Sequence, residues 1–220
     1  MSFRLHEHVY RSTALDSFDW LTHGFGDRSH DCPASAVILH QIHSDRCVTV
    51  GESDVNAGRE GDALLTDRPG RIITVKTADC LPIFLVDERQ RAIAAVHAGW
   101  KGTALEIARK AVAEMMKQFG TRAEDLHAAI GPGIGACCFE VGPEVAAQFR
   151  NQFPERSDLD RRTRVNLAEA NRRQLAYAGL ARTKIYTAEL CTVCERQFHS
   201  YRRDREASGR MYSYLALVGF

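Results

Sequence analysis

The sequence has no apolar stretch approaching the roughly 20 residues of a membrane span, so no spanning helix is expected. It also has almost no net charge: 29 Lys and Arg stand against 28 Asp and Glu, leaving +1. So weak a field does not draw a protein toward nucleic acid or an anionic membrane surface. Internal repeats are absent, as is any linker rich in Pro, Gly or Ser, and one domain over residues 1–220 is expected. The first residues, Met1-Ser2-Phe3-Arg4-Leu5-His6, carry no long apolar run and no small-residue cleavage site, unlike a secretory signal. Seven cysteines make an odd count. In a cytoplasmic protein they are expected as reduced thiols, useful as ligands or nucleophiles. What remains is ordinary globular composition, 45% hydrophobic and 26% charged, which excludes disordered, collagen-like and low-complexity classes. A monomer is expected.

Three apolar runs cluster centrally: Ile72-Ile73-Thr74-Val75, Leu81 to Val86, and Ala92 to Val96. Short β-rich runs bounded by polar turns read as buried strands. Asp87-Glu88-Arg89-Gln90 separates the last two, which predicts a hairpin. Thr103-x-x-Glu106 reads as a capping box opening a helix. Ala104, Ile107, Ala108, Ala111, Val112, Met115 and Phe119 give that helix its core face, and Gly120 stops it. A short strand is expected at Ala128-Ala129-Ile130, a helix from Pro143 to about Phe149, and another from Asn166 to Tyr177 closed by Gly179. Lys184–Leu190 and Met211–Val218 complete the strands. Strands and helices mix without regular βαβ alternation, which argues for an α+β or layered α/β fold and against a Rossmann fold.

The chemistry-bearing residues fall into four groups. The first joins His40-Gln41-Ile42-His43, Thr77-Ala78-Asp79-Cys80 and His97-Ala98-Gly99-Trp100. Cys80 begins one strand of the predicted hairpin and His97 ends the other, so the two can be neighbours. A thiolate and imidazoles suit Zn²⁺, and three protein ligands leave a position for water or substrate. Such a site generates a nucleophile near neutral pH. The same Cys and His suit a Cys-His hydrolase, in which imidazole lowers the thiol pKa. The structural alternative is a buried cysteine with two solvent-facing histidines.

The second group, Cys191-x-x-Cys194-x4-His199, looks like part of a zinc knuckle, but Asp204 stands where a fourth ligand would fall. Two packed thiols in a turn is the preferred reading. The third is basic: Tyr201-Arg202-Arg203-Asp204 with Arg205 and Arg210. Arginines beside an aromatic can grip phosphate, and a solvated turn paired with Asp204 and Glu206 is the alternative. Arg161-Arg162-Thr163-Arg164 is a similar run with nothing near it to suggest a site. The fourth, Gly131-Pro132-Gly133-Ile134-Gly135-Ala136-Cys137-Cys138, is neither a Walker A loop nor a G-x-G-x-x-G fingerprint. It reads as a tight structural turn beside the site. The H-x-E and P-C-x-x-C signature of the nucleobase zinc deaminases is missing, because Leu190 precedes Cys191 and Gly99 stands two after His97.

Taken together, these strings resemble one family. His40-Gln41-Ile42-His43-Ser44, Gly61-Asp62-Ala63-Leu64-Leu65-Thr66-Asp67, Thr77-Ala78-Asp79-Cys80-Leu81-Pro82, His97-Ala98-Gly99-Trp100, Ile130-Gly131-Pro132 through Val141-Gly142, Asn171-Arg172-Arg173-Gln174-Leu175 and Ser200-Tyr201-Arg202-Arg203-Asp204 occur in order. They resemble the YfiH family, also called the laccase-domain or multicopper polyphenol oxidase family, from about Thr22 to the C-terminus. The resemblance implies a layered α/β/β/α sandwich similar to the catalytic domain of a deamidating bacterial toxin. It implies one zinc site, whose ligands carry over to His43, Cys80 and His97. His43 is chosen over His40 because it follows the Gln-Ile pair.

The implied reactions are phosphorolysis of adenosine, inosine, guanosine and methylthioadenosine, and hydrolytic deamination of adenosine. Purine nucleosides and phosphate are then the partners. Water activated by zinc would attack C6 in deamination, with Asp79 as proton shuttle, and Arg202 and Arg203 would hold phosphate. The alternative is a Cys-His amidase acting on peptide or cell-wall precursors, with Cys80 as nucleophile and His97 as base. Copper oxidation of phenols is disfavoured, because a laccase needs many His-x-His pairs and only His6-Glu7-His8 is present; sulfur and nitrogen ligation also favours zinc over Cu(II). The sequence departs from the family at Lys101, where Arg is common, and at Gly26-Asp27, where Ser-Thr is usual. Both positions are expected near phosphate or ribose.

Overall fold

The computed structural model describes residues 2–51 and 58–218. The first half of the chain forms β1 (Phe3–His6), β2 (Val9–Ser12), β3 (Leu21–Gly26), β4 (Cys47–Thr49), β5 (Ala63–Thr66), β6 (Ile72–Thr77), β7 (Leu81–Asp87) and β8 (Ile93–Ala98). Then follow α1 (Trp100–Ala104), α2 (Ile107–Phe119), β9 (Leu126–Ile130), β10 (Glu140–Val141), α3 (Pro143–Ala146), β11 (Thr163–Arg164), α4 (Leu167–Tyr177), β12 (Ile185–Thr187), α5 (Tyr201–Asp204) and β13 (Met211–Leu217).

Two mixed-length sheets stack to give a layered α/β fold. One has the order β1-β2-β3-β13-β6 and the other β12-β9-β7-β8-β5-β4. Strand β7 shows why they stack. Its side chains alternate between two cores, as a period of two requires. Phe84 and Val86 enter the core shared with Phe25, Ile73 and Leu215 of the five-stranded sheet. Leu81, Ile83 and Leu85 enter the opposite core with Ile107, Ala111 and Met115 of α2 and Leu175 of α4. A strand covered on both faces carries no polar alternation, and β7 and β8 are buried throughout. Phe25 and Phe84 stack across the two sheets with centroids 4.2 Å apart. Gly131 makes room for that pair, since a Cβ there would lie 2.2 Å from the Phe25 ring.

The expected hairpin is present, with β7 antiparallel to β8 and Pro82 opposite His97. The helix of residues 107–119 buries its apolar stripe and ends at Gly120 in the left-handed conformation. Its start differs from the capping-box reading. Thr103 lies inside α1, buried, where its hydroxyl accepts from Asn171 and its carbonyl from Gln174. Glu106 is left-handed (φ 64°) and breaks the helix in two, its carboxylate holding Arg109. Tertiary hydrogen bonds to α4 thus take the threonine that the local pattern assigned to a cap. Asn166 does cap α4, accepting from the Glu169 amide at 3.0 Å. The strand expected over Lys184–Leu190 is shorter, Ile185–Thr187. No described helix is long and apolar enough to cross a membrane.

Candidate active site and a second thiol cluster

Three elements deliver the site. The β7–β8 pairing sets Cys80, just before β7, beside the end of β8 that carries His97. The third element is the loop holding His43. Gln41 fastens that loop to β6 by two hydrogen bonds with the backbone of Lys76, at 2.8 and 2.9 Å. Asp62 then gathers it, accepting from the His43 amide at 3.0 Å and from the Ser44 amide and hydroxyl at 2.6 Å. As a result one ligand atom each of His43, Cys80 and His97 lies within 4.8 Å of the others. His43, rather than His40, joins the thiol. His43 is exposed, Cys80 half-buried and His97 buried.

No residue pattern marks Asp62, whose signal in the sequence is its place in the Gly61-Asp62-Ala63 string. Strand β5 pairs with β8 so that Ala63 faces Val96, which brings the preceding carboxylate to His97. Asp62 Oδ1 lies 2.8 Å from His97 Nδ1, which leaves Nε2 for Cys80. Carboxylates of this kind fix the tautomer and orientation of a ligating histidine.

The electrostatics follow from this packing. Burial pushes the Cys80 thiol up, but hydrogen bonds with His43 and His97 bring it down to about 6. Burial pulls His97 down, yet Asp62 and Cys80 lift it to about 9. Burial raises Asp62, and His97 and Ser44 reverse this to about 2. The arrangement is a thiolate beside a cationic imidazole that is itself anchored by a carboxylate. Two residues of the site are strained: His43 (φ 59°) and Asp79 (φ 85°) both hold left-handed conformations. Gly99 permits the crowding, because a Cβ there would lie 2.8 Å from Cys80 Sγ and 3.1 Å from His43 Cδ2.

These groups open onto a cavity of about 580 Å³, within the range of small-molecule sites. Trp100, Ile134, Phe139 and Leu167 give it apolar walls, and Tyr201 an aromatic edge. Lys76, Arg202, Arg205 and Arg210 make another part basic. Asp79 also lines the cavity, but both of its oxygens are engaged, one with the Thr192 hydroxyl at 2.7 Å and one with the Arg202 amide at 2.6 Å.

The two adjacent arginines part company. Arg202 reaches the cavity while its Nη1 donates to the carbonyls of Cys138 and Glu140. Arg203 is not among the cavity's lining residues. Its guanidinium donates to the carbonyls of Thr192, Val193 and Phe198 and to Asp204. A guanidinium so committed buttresses a loop and is directed away from the cavity, whereas Arg202 faces it. Lys101 and Asp27 are likewise away from the cavity lining: Lys101 lies over the Trp100 ring, and Asp27 holds His8 and the Ser29 amide.

All seven cysteines are free thiols, and four of them meet. Cys137 and Cys138, from the glycine-rich string, come within 4.8 Å of Cys191 and Cys194. The reading of Cys191 and Cys194 as an isolated pair is therefore corrected. The missing partners come from another loop, and His199 does not join them. Burial raises the Cys191 thiol, but the Cys194 and Gly135 amides and the Cys137 side chain draw it down to about 7.

Residues 27–218 match the family described as multi-copper polyphenol oxidoreductase laccase. The chain belongs to that family. Within the laccase-domain family, it is 42% identical over 181 residues to a protein of Deinococcus radiodurans named purine nucleoside phosphorylase, covering 81% of this chain and 69% of the relative. It is 38% identical over 192 residues to adenosine deaminase RL5 of an unknown prokaryotic organism, covering 80% and 73%. Among solved structures, YlmD of Geobacillus stearothermophilus superposes with a TM-score of 0.90 at 28% identity, covering 99% of both chains. Both of these relatives carry the names of nucleoside-processing enzymes.

Proposed function

We propose that this laccase-domain protein is a zinc-dependent purine nucleoside phosphorylase acting on adenosine, inosine, guanosine and methylthioadenosine, with adenosine deaminase activity. The observation that carries the reading is the His43–Cys80–His97 cluster opening onto a cavity with apolar walls and a basic part. The donor set fits zinc: one thiolate, two imidazoles and an open side. When bound, zinc supplies Lewis acidity and a more acidic water. The chain's residues do the rest. Trp100, Phe139 and Leu167 offer surfaces for the purine, and Arg202, with Arg205 and Arg210 beside it, holds the phosphate dianion. In phosphorolysis a phosphate oxygen attacks the ribose anomeric carbon, the glycosidic bond breaks, and the purine leaves with a proton. In deamination water adds at C6 and ammonia leaves. Asp79, which lines the cavity and holds the Arg202 amide, is the candidate proton shuttle. Inosine and phosphate given to the purified protein should yield hypoxanthine and ribose 1-phosphate, and adenosine in water should yield inosine. Failure of both reactions in zinc-loaded protein would sink the reading.

One observation favours a second reading. Cys80, His97 and Asp62 stand in the order nucleophile, base and orienting carboxylate, with the thiol lowered to about 6. That is the arrangement of a cysteine hydrolase acting on amides of peptides or cell-wall precursors. Covalent labelling of Cys80 by iodoacetamide in metal-free, fully active protein would select it; stoichiometric zinc lost in Cys80→Ala would reject it.

A further inference from the structure

We propose that Cys137, Cys138, Cys191 and Cys194 form a second, structural zinc site, separate from the cavity cluster and sharing no ligand with it. The argument is geometric. Four sulfurs at about 2.3 Å from a tetrahedral zinc lie about 3.8 Å from one another. Here Cys137 and Cys194 Sγ are 3.7 Å apart and Cys138 and Cys194 Sγ 3.4 Å, with all four inside 4.8 Å. The two loops are held together before any metal arrives. Gly133 and Cys191 form a parallel bridge, the Gly133 amide donates to Leu190 and the Thr192 amide to Gly133. The Gly135 amide points at Cys191 Sγ at 3.3 Å, the kind of N–H donor a thiolate ligand needs. Gly135 has no side chain for a reason: a Cβ would lie 3.1 Å from Cys137 Sγ and 3.3 Å from Cys191 Sγ.

Four thiolates and no open position make a closed site, which stabilises structure instead of activating water. Binding displaces the thiol protons and leaves a dianionic centre. What the centre would hold in place is one wall of the cavity. Ile134 and Phe139, which line the cavity, flank Cys137 and Cys138 in sequence. Arg202 Nη1 donates to the Cys138 carbonyl, and Thr192, between Cys191 and Cys194, holds Asp79.

The test is zinc content of the full chain, purified under reductant, by elemental analysis. Wild type should carry about two zinc ions per chain, Cys80→Ala one, and the exposed pair Cys137→Ser/Cys194→Ser one. X-ray absorption of zinc in Cys80→Ala should then show only sulfur neighbours, at about 2.3 Å; this arm survives if the double variant fails to fold. Zinc content unchanged in Cys137→Ser/Cys194→Ser, nitrogen neighbours in Cys80→Ala, or a disulfide among these four cysteines under reductant would each overturn the proposal. One zinc in wild type, kept in Cys80→Ala and lost in the double variant, would support it while rejecting the cavity metal.

Discussion

Among the described residues, two thiol clusters are built on opposite principles. At the cavity, one cysteine sits between two histidines, three ligands from three elements, with a buried carboxylate behind them and space in front. In the second cluster, four cysteines from two loops face one another around a closed centre. Mixed ligation with an open side suits a reacting metal, and all-sulfur ligation suits a fastening one. The difference teaches that ligand type and openness, more than the presence of cysteine, separate chemistry from architecture in this fold.

The widest separation is expected from ligand deletions. Cys80→Ala and His97→Ala should each lower phosphorolysis by about 10²–10⁴-fold or more, while thermal melting stays cooperative. Cys137→Ser/Cys194→Ser should do the reverse, lowering the melting temperature before it touches turnover. A catalytic collapse in the double variant, with a merely softened fold in Cys80→Ala, would break the distinction. Next is Asp62→Asn, which removes the charge behind His97 but keeps its shape. Zinc affinity at the cavity should fall about 10–100-fold, with the second cluster unaffected, as a competing chelator would show.

Acidity sharpens the contrast further. With the Cys80 thiol lowered to about 6 and His97 raised to about 9, the pair keeps one proton across the middle of the window between those values. Zinc must displace that one proton, so cavity affinity should rise about tenfold per pH unit and level off above 9. The four-thiol cluster begins with several protons to lose below the free-thiol pKa of about 8.5, so its affinity should rise more steeply over the same window. Chelator competition at several pH values, on variants retaining one site each, measures both slopes; equal slopes would make the clusters chemically alike.

The smallest effects separate the two arginines. Arg202→Ala should raise the phosphate KM several-fold and leave adenosine deamination, which uses water, nearly unchanged. Arg203→Ala should leave the phosphate KM alone and cost about 1–3 kcal/mol of stability, because three loop carbonyls lose their donor. Steady-state kinetics and denaturant melts on both variants distinguish them.

The parts legible in the sequence were those with local causes. Two apolar runs around a polar turn announce the β7–β8 hairpin, and its register alone brings Cys80 to His97. Gly120 and Asn166 end and start helices by rules that hold within one turn. The opaque parts depend on distant partners. Cys137 and Cys194 are 57 residues apart, and neither loop hints at the other. Asp62 matters because β5 pairs with β8, and His97 lies 35 residues on. Thr103 and Glu106 match a capping box letter for letter, but α4 claims the threonine. Arg202 and Arg203 are neighbours in composition and opposites in direction, which only the turn of α5 decides.

The left-handed backbone at His43 and Asp79 sets a limit on how this protein can be improved. Such conformations cost on the order of 1–3 kcal/mol each for residues that carry a Cβ. Glycine would adopt them freely, yet a histidine and an aspartate occupy them, both at the cavity. The fold therefore carries a permanent debit where its ligands are aimed. Screening for thermal hardiness alone would drift toward glycine at His43 and return a sturdier, idle protein, whereas at Asp79 the hydrogen bonds to Thr192 and Arg202 offset the strain and oppose that drift.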